Sequence, residues 1–333
     1  MKSAGSRALW FLLTAALILA LVADLRWGSL SMDWNTWWQA LAGGEESVIR
    51  TVLWQFRIPK ALTAWAVGSG LGLAGLLMQS MLRNPIAGPY VLGMSGGAGL
   101  MVGIWILTGV ALGWQWPVEW GIPVAAALGA SAVLLADLWL YYRTRSAVTL
   151  LIAGLMIGLF SGALLSLLQF WAPARNLQKF VFWSMGNLGH LQASHIAILW
   201  VLIIVSYAAV WHWRGRMDLL LLGDEYVSSA GYSLFVLHRF IVIISGLLAG
   251  VITALVGPIA FVGLMVPHAA FLLTGSRLHA TALPGVFLLG GILMLTADLL
   301  SQLPGSEGVL PVNSITSLLG APLVVWLLVK RKF

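Results

Sequence analysis

The sequence contains no cysteine and very little charge. Of its 333 residues only 9% are Asp, Glu, Lys or Arg, whereas 60% are hydrophobic and the mean hydropathy is +0.94. The lack of cysteine excludes disulfides, thiol catalysis and thiolate metal sites. A soluble domain is about 25% charged, so this chain has too little polar surface to be a water-soluble globular enzyme. The composition predicts an integral membrane protein.

Two chemical patterns are also missing from the sequence. A Gly-x-x-x-x-Gly-Lys-Ser/Thr loop occurs nowhere, which excludes a nucleotide site of that kind. The six histidines form no metal-ligand pattern, since His190 and His195 are five residues apart, a poor spacing for one metal site on a helix. We therefore predict no metal site, no cofactor and no catalytic residue.

Apolar stretches fill most of the chain, and a helical span needs about 20 residues. We predict a single transmembrane domain, all-α, over residues 1–333, with an uncleaved first helix. The ten spans are Ala8–Val22, Ala61–Ser80, Gly93–Leu112, Ile122–Tyr141, Ala147–Phe170, Ser194–Val210, Phe240–Leu255, Ile259–Thr274, Leu283–Leu300 and Val312–Val329. The Trp-rich stretch Asp24–Arg57 is interpreted as lying on the outer leaflet.

The charge distribution sets the orientation. With both termini inside, twelve Lys and Arg lie on the cytoplasmic side and six outside, as the positive-inside rule requires. Asp137 and Asp298 fall near span ends in the same Ala-Asp-Leu context, and the sequence shows no cationic partner for either. An intramembrane carboxylate often has a transport role, but we favour anchoring at a helix end.

Glycines recur at spacings that let helices approach closely. On the fifth span, Gly154, Gly158 and Gly162 share one face with Ser161. This face either lines a translocation path or only packs against a neighbour. With it we group three residues at the start of the span as a candidate gate, namely Ala147, Val148 and Thr149.

Two short stretches resemble each other across the chain. Pro85-Ile86-Ala87-Gly88 and Pro258-Ile259-Ala260-Phe261 each follow a Gly-rich helix, and the predicted topology runs those two helices in opposite directions. This is typical of an inverted repeat, which is common in transporters.

Several motifs, which follow one another along the chain in the same order as in one family, make the sequence resemble the FecCD-like permease subunits of type II ABC importers for iron–siderophores, haem and vitamin B12. They are Arg57-Ile58-Pro59-Lys60, Arg83-Asn84-Pro85-Ile86-Ala87, Leu222-Gly223-Asp224-Glu225-Tyr226, Gly257-Pro258-Ile259, Val266-Pro267-His268, Ala297-Asp298-Leu299 and Leu319-Gly320-Ala321-Pro322. The residues interpreted as structural within these motifs are Arg83, Asn84, Pro85, Pro258, Pro267, His268 and Asp298. Each motif alone is unspecific, whereas the ordered set is specific.

The resemblance implies a homodimer of ten-helix subunits in the bacterial inner membrane, surrounded by lipid, with one path on its two-fold axis. It also implies two cytoplasmic ATPase subunits, a periplasmic or lipid-anchored binding protein, and a chelated iron complex or vitamin B12 as cargo. Nucleic acid is not an expected partner. The alternative from another class is an ion-coupled secondary transporter, which would need midplane charges.

The longest cytoplasmic connection is Trp211–Arg239. We expect a short helix from Asp224 to Ala230, a break at Gly231 and a second helix from Ser233 to Arg239. A solvated loop is the simpler interpretation, although it would expose several apolar side chains. The resemblance implies that this elbow couples ATPase motion to the spans, through Gly223, Asp224, Glu225, Tyr226, Ala230 and Gly231.

Arg57 and Lys60 precede the second span on the outer side. Cations at such positions often place their charged ends at the membrane surface while their stems stay in lipid. The resemblance implies instead that this pair meets carboxylates on the binding protein, with a hydrogen bond from Gln302, where relatives often carry charge.

Overall fold

A computed structural model describes residues 3–27, 33–42, 48–108, 118–302 and 309–330. All regular structure in these ranges is helical. The helices are α1 (Ser3–Arg26), α2 (Trp34–Leu41), α3 (Val48–Val52), α4 (Ile58–Leu82), α5 (Met94–Gly103), α6 (Val118–Thr144), α7 (Ala147–Trp171), α8 (Ala174–Ser184), α9 (Ala193–Leu220), α10 (Asp224–Ser229), α11 (Leu234–Val256), α12 (Val262–Thr274), α13 (His279–Ser301) and α14 (Val312–Lys330). π-Helical turns at Leu53–Arg57 and Ile104–Thr108 extend α3 and α5, and a 3₁₀ turn at Pro89–Leu92 precedes α5.

The ten predicted spans correspond to ten apolar helices. Seven helices are long and apolar enough to cross a membrane, and three shorter ones are Met94–Thr108, Val262–Thr274 and Val312–Trp326. The prediction of an all-α membrane protein is therefore confirmed. The end of the predicted third span, 109–112, lies outside the described residues.

Helix α4 lies at the centre of the fold, and nearly all of it is buried. Its small residues permit this position, because α9, α11, α12 and α13 all pack against it. A Cβ added at Gly68 would collide with the backbone of Gly290 on α13, and one added at Gly75 would collide with the backbone of Gly263 on α12. The glycines of α4 are thus required for direct contact between backbones.

The inverted repeat is visible in the packing. Helices α4–α7 form the first half and α11–α14 the second, with α4 against α13 and, equivalently, α11 against α6. Gly93, the residue before α5, has φ +74°, and Phe261, the residue before α12, has φ +66°. Left-handed backbone is uncommon for a bulky residue such as Phe, so its recurrence at the equivalent point supports the predicted symmetry.

The predicted elbow, Trp211–Arg239, differs from its prediction in extent. Helix α9 continues to Leu220 instead of ending near Val210, and the expected separate helix Ser233–Arg239 is the first part of α11. The physical reason is packing, since Met217 and Leu220 are fully buried and the Trp213 ring stacks on Phe240 with centroids 4.5 Å apart. The short helix α10 was predicted to within one residue.

Candidate functional site

A cavity of about 590 Å³ lies where the two repeated motifs meet α7. The segment before α5 contributes most of residues 86–93, the segment before α12 contributes Ala260 and Phe261, and α7 contributes one face. The α7 residues on this face are Leu151, Gly154, Leu155, Gly158 and Leu159. No charged side chain is among the described residues that line the cavity, so it is a smooth, nearly apolar space.

The glycines of α7 differ in their surroundings. A Cβ at Gly154 would meet the backbone of Val91 and Leu92, whereas at Gly158 the nearest atom would be 3.9 Å away and at Gly162 nothing lies within 4 Å. Ser161 is buried. Gly154 therefore serves close packing, while Gly158 leaves room that the cavity occupies.

The first turn of α7 is capped by Ser146, the residue before the helix. The Ser146 hydroxyl accepts a hydrogen bond from the Thr149 backbone N–H at 3.2 Å, which satisfies one of the free donors of the first turn. Val148 is 65% exposed and Ala147 is partly buried. The candidate gate thus lies at a well-defined helix start, and its role stays a prediction.

A tyrosine joins the two repeated segments. The Tyr90 hydroxyl oxygen accepts a hydrogen bond from the backbone N–H of Ile259 at 3.4 Å and one from the Thr253 hydroxyl at 3.3 Å. On the other side, Asn313 Oδ1 accepts from the Ala260 N–H at 2.9 Å. The segments around Pro85 and Pro258 are therefore brought together in space, although 173 residues separate the two prolines.

At the end of the fold that carries the predicted elbow, α10 lies against α9, with Val227 fully buried. Gly223 and Gly231, which flank α10, have φ of +129° and +80°, a backbone that favours glycine. Glu225 and Tyr226 are exposed, as is Ala230. Helix α10 is therefore held against α9 by the buried side chain of Val227, while its opposite side is exposed.

At the opposite end, a polar network around the buried Asp24 and Asp298 joins α1, α4 and α13. Lys60 Nζ lies 2.8 Å from Asp298 Oδ1, and Gln302 Nε2 donates to Asp298 Oδ2 at 2.9 Å. Gln302 Nε2 is also 3.5 Å from Asp24 Oδ1. The expectation that Asp298 lacks a cationic partner was wrong, because Lys60 lies 238 residues away in the sequence and adjacent to it in the fold.

Arg57 is directed inward as well. It is 8% exposed, and its Nη1 donates to the backbone carbonyls of Leu25 at 3.0 Å and Arg26 at 2.7 Å. The structure therefore brings the three predicted docking residues together, but their polar atoms hold α1 against α4 and α13. Docking through Arg57, Lys60 and Gln302 stays a prediction, and it would have to reuse groups that already have partners.

The model of the FecCD transport family matches residues 16–330 of the chain. The chain belongs to the FecCD transport family. The permease is similar to Vitamin B12 import system permease proteins BtuC, with 31% identity over 323 residues to that of Citrobacter koseri, covering 96% of this chain and 92% of the relative. The BtuC of Photorhabdus laumondii is 34% identical over 284 residues, with 84% and 82% covered.

Solved structures agree with this assignment. An inward-facing metal-chelate type ABC transporter has a TM-score of 0.85 and 27% identity, covering 98% of this chain and 100% of that one. PsaBC from Streptococcus pneumoniae in complex with Fab shares the fold, with a TM-score of 0.55 at 18% identity. The chain is thus a multi-pass membrane permease of the ABC importer type.

The environment of Asp137 differs from the one predicted. Asp137 is fully buried, and neither of its carboxyl oxygens has a hydrogen-bond partner among the described residues. Anchoring at the water boundary is therefore wrong for Asp137. Its context is identical to that of Asp298, so the sequence contains no local signal that separates the two.

Sequence reasoning also missed a chain of three residues, two of them buried, where the end of α4, the end of α9 and the start of α13 meet. Asp218 Oδ1 lies 2.7 Å from His279 Nδ1, and His279 Nε2 lies 3.0 Å from Ser80 Oγ. The order resembles a hydrolytic triad, but Ser80 is buried and its hydroxyl donates to the Leu76 carbonyl at 2.9 Å. The group joins three helices and is not an accessible nucleophile.

His190 and His195 meet at one small cavity. His190 precedes α9, so the two are not on one helix, and both line a cavity of about 140 Å³ with Gln192 and Trp183. Burial, and next the proximity of His195, lower the pKa of His190. His190 is therefore expected to be neutral at pH 7.

Proposed function

We propose that this permease imports a chelated metal complex or vitamin B12 across the bacterial inner membrane by alternating access. Two copies form a homodimer with both termini in the cytoplasm, two cytoplasmic ATPase subunits supply the energy, and a periplasmic or lipid-anchored binding protein delivers the cargo. The chain is similar to a vitamin B12 import permease and to a metal-chelate type transporter, which supports this cargo class.

The observation that carries the proposal is the cavity between α7 and the two repeated segments. It is uncharged, as suits a path that must release its cargo, and the exposed face of α7 beside it is strongly apolar. A second copy facing α7 would complete the wall of the cavity and cover that face. The glycine face of α7 then lines the path on the two-fold axis.

Coupling to the ATPase subunits takes place at the elbow, in this proposal. The exposed side chains of Glu225 and Tyr226 face away from α9, and the buried Val227 fixes the helix to the spans. A rigid helix held this way transmits a push from a partner to the membrane helices. The binding protein docks at the other end, at the periplasmic face formed by α1, α4 and α13.

The proposal is tested in liposomes that contain the permease, its ATPase subunit and its binding protein. We expect uptake of one cargo among a ferric siderophore, haem and cobalamin, and only with ATP and both partners present. Uptake driven by a proton or sodium gradient without the ATPase would contradict the proposal and favour the ion-coupled alternative.

The same assay examines the path. Replacing Gly158 with Leu fills space that the cavity occupies, where an added Cβ would find its nearest atom 3.9 Å away. We expect uptake to fall by roughly tenfold or more while the protein still inserts, because a side chain that narrows the path raises the barrier to transport, by about 1.4 kcal/mol for each factor of ten. Gly215→Leu is the matched control, since Gly215 lies on α9 with nothing within 4 Å of an added Cβ and does not line the cavity. Wild-type uptake by Gly158→Leu would place this face away from the path.

A further inference from the structure

One side chain connects the elbow to the cavity segment. Arg83 ends α4 in left-handed backbone, with φ +48°, and its Nη2 lies 3.2 Å from Asp224 Oδ1, the first residue of α10. A Cβ on Gly223 would be 3.5 Å from Arg83 Nη1, so the guanidinium lies directly beside the start of the elbow. The two side chains are 50% and 40% exposed.

The residues that follow Arg83 form a compact unit. Asn84 Oδ1 accepts from the Ile86 N–H and the Asn84 carbonyl accepts from the Ala87 N–H, both at 3.1 Å. The Gly93 N–H donates to the Tyr90 carbonyl at 3.0 Å. Because these bonds close successive turns, a displacement at Arg83 moves residues 84–93 together, and this unit lines the cavity.

The unit also reaches the second half of the repeat. The Tyr90 hydroxyl oxygen in this unit accepts hydrogen bonds from the Thr253 hydroxyl and from the backbone N–H of Ile259. A displacement passed through Arg83 would therefore reach both repeated segments that wall the cavity. Glu225, the neighbouring acid on α10, forms no ion pair within the described part of the chain.

We propose that the Arg83–Asp224 ion pair is the connection through which the elbow moves the cavity-lining segment, which makes Arg83 a positioning residue for transport. This inference rests on the proposed coupling role of the elbow. An exposed ion pair contributes little to stability, so its loss is expected to change coupling far more than folding.

The test is a charge swap in the complete importer. Arg83→Asp suits the left-handed backbone, which Asp adopts more readily than most residues, and Asp224→Arg reverses the other charge. We expect each single variant to lower uptake by roughly fivefold, the scale of one exposed ion pair, while ATP hydrolysis stays within about twofold of wild type. The double variant should regain at least half of the wild-type uptake.

Two comparisons make the outcome decisive. Arg143→Asp removes an exposed cation at the cytoplasmic end of α6, where Arg143 lies over Trp139, and should leave uptake unchanged. Gly231→Pro breaks the elbow itself, at a φ of +80° that proline cannot adopt. Suppose that Gly231→Pro abolishes uptake. If the double variant then regains no uptake, or if the single variants transport normally, the ion-pair inference is wrong, while the coupling role of the elbow stands. If Gly231→Pro transports normally, the coupling role itself is wrong.

Discussion

Asp137 and Asp298 occupy equivalent helices in the two halves of the repeat, and their surroundings are opposite. Both are buried and both stand in Ala-Asp-Leu. Asp298 binds Lys60 and Gln302, whereas Asp137 has no donor among the described residues. The same triplet is thus a connection between helices in one half and an isolated acid in the other.

The two helix interfaces that contain these acids also differ in how closely the helix backbones approach each other. Where α4 meets α13, Gly68 and Gly290 bring backbones into contact, and Lys60 and Asp298 form an ion pair at one end of the interface. Where α11 meets α6, Gly246 faces the side chain of Leu134 instead of a backbone. Side chains can change rotamer and backbones cannot, so α4–α13 is the stiffer interface and α6–α11 the one better suited to movement.

The largest expected effect comes from removing the charge of Asp298. Asp298→Asn leaves Lys60, whose side chain is 17% exposed, without its carboxylate, and breaking a fully buried ion pair in this way costs about 3–5 kcal/mol. We expect a loss near the lower end, since Asp24 is close enough to Lys60 to interact electrostatically. The measurement is the unfolding midpoint in mixed micelles, followed by tryptophan fluorescence.

Asp24 provides the control for that prediction. If it partly replaces Asp298, Asp24→Asn combined with Asp298→Asn should destabilise the protein by more than the two single variants added together. Equal stability of Asp298→Asn and wild type would mean that Lys60 is held by water or by lipid, and the network would then be free to dock a partner.

A smaller effect is expected from the glycines of the two interfaces. Gly68→Ala places a methyl group against the backbone of Gly290, whereas Gly250→Ala meets only the Ala130 Cβ at 3.0 Å. We expect Gly68→Ala to cost about 1–3 kcal/mol and Gly250→Ala less than half as much. Equal losses in the same unfolding measurement would contradict the difference in stiffness.

Much of the fold could be predicted from the sequence, because in lipid a continuous apolar run must be helical to satisfy its backbone. The ten spans and the repeat followed from that constraint and from two short motifs. The helix ends did not, since α9 is extended by the stacking of Trp213 on Phe240 and the burial of Met217, contacts between distant segments.

The site was predicted only in outline. The motifs marked Lys60, Asp298 and Gln302, but a motif does not show which side chains meet, and the structure assigns these three to one internal network. Asp137 shows the limit more clearly. Its neighbours in sequence are those of Asp298, so only the helix packed against it decides whether the acid has a partner.

The smallest expected effect is that of Asp137→Asn, the same substitution in the other half. A carboxyl group buried without a donor or a counter-charge is expected to be uncharged, because an isolated buried charge costs far more than neutralisation. Asparagine has nearly the same shape and is neutral, so the unfolding midpoint should shift by less than about 1 kcal/mol in free energy. A loss as large as that of Asp298→Asn would show instead that Asp137 is ionised and has a partner in the membrane, and the two halves would then be alike.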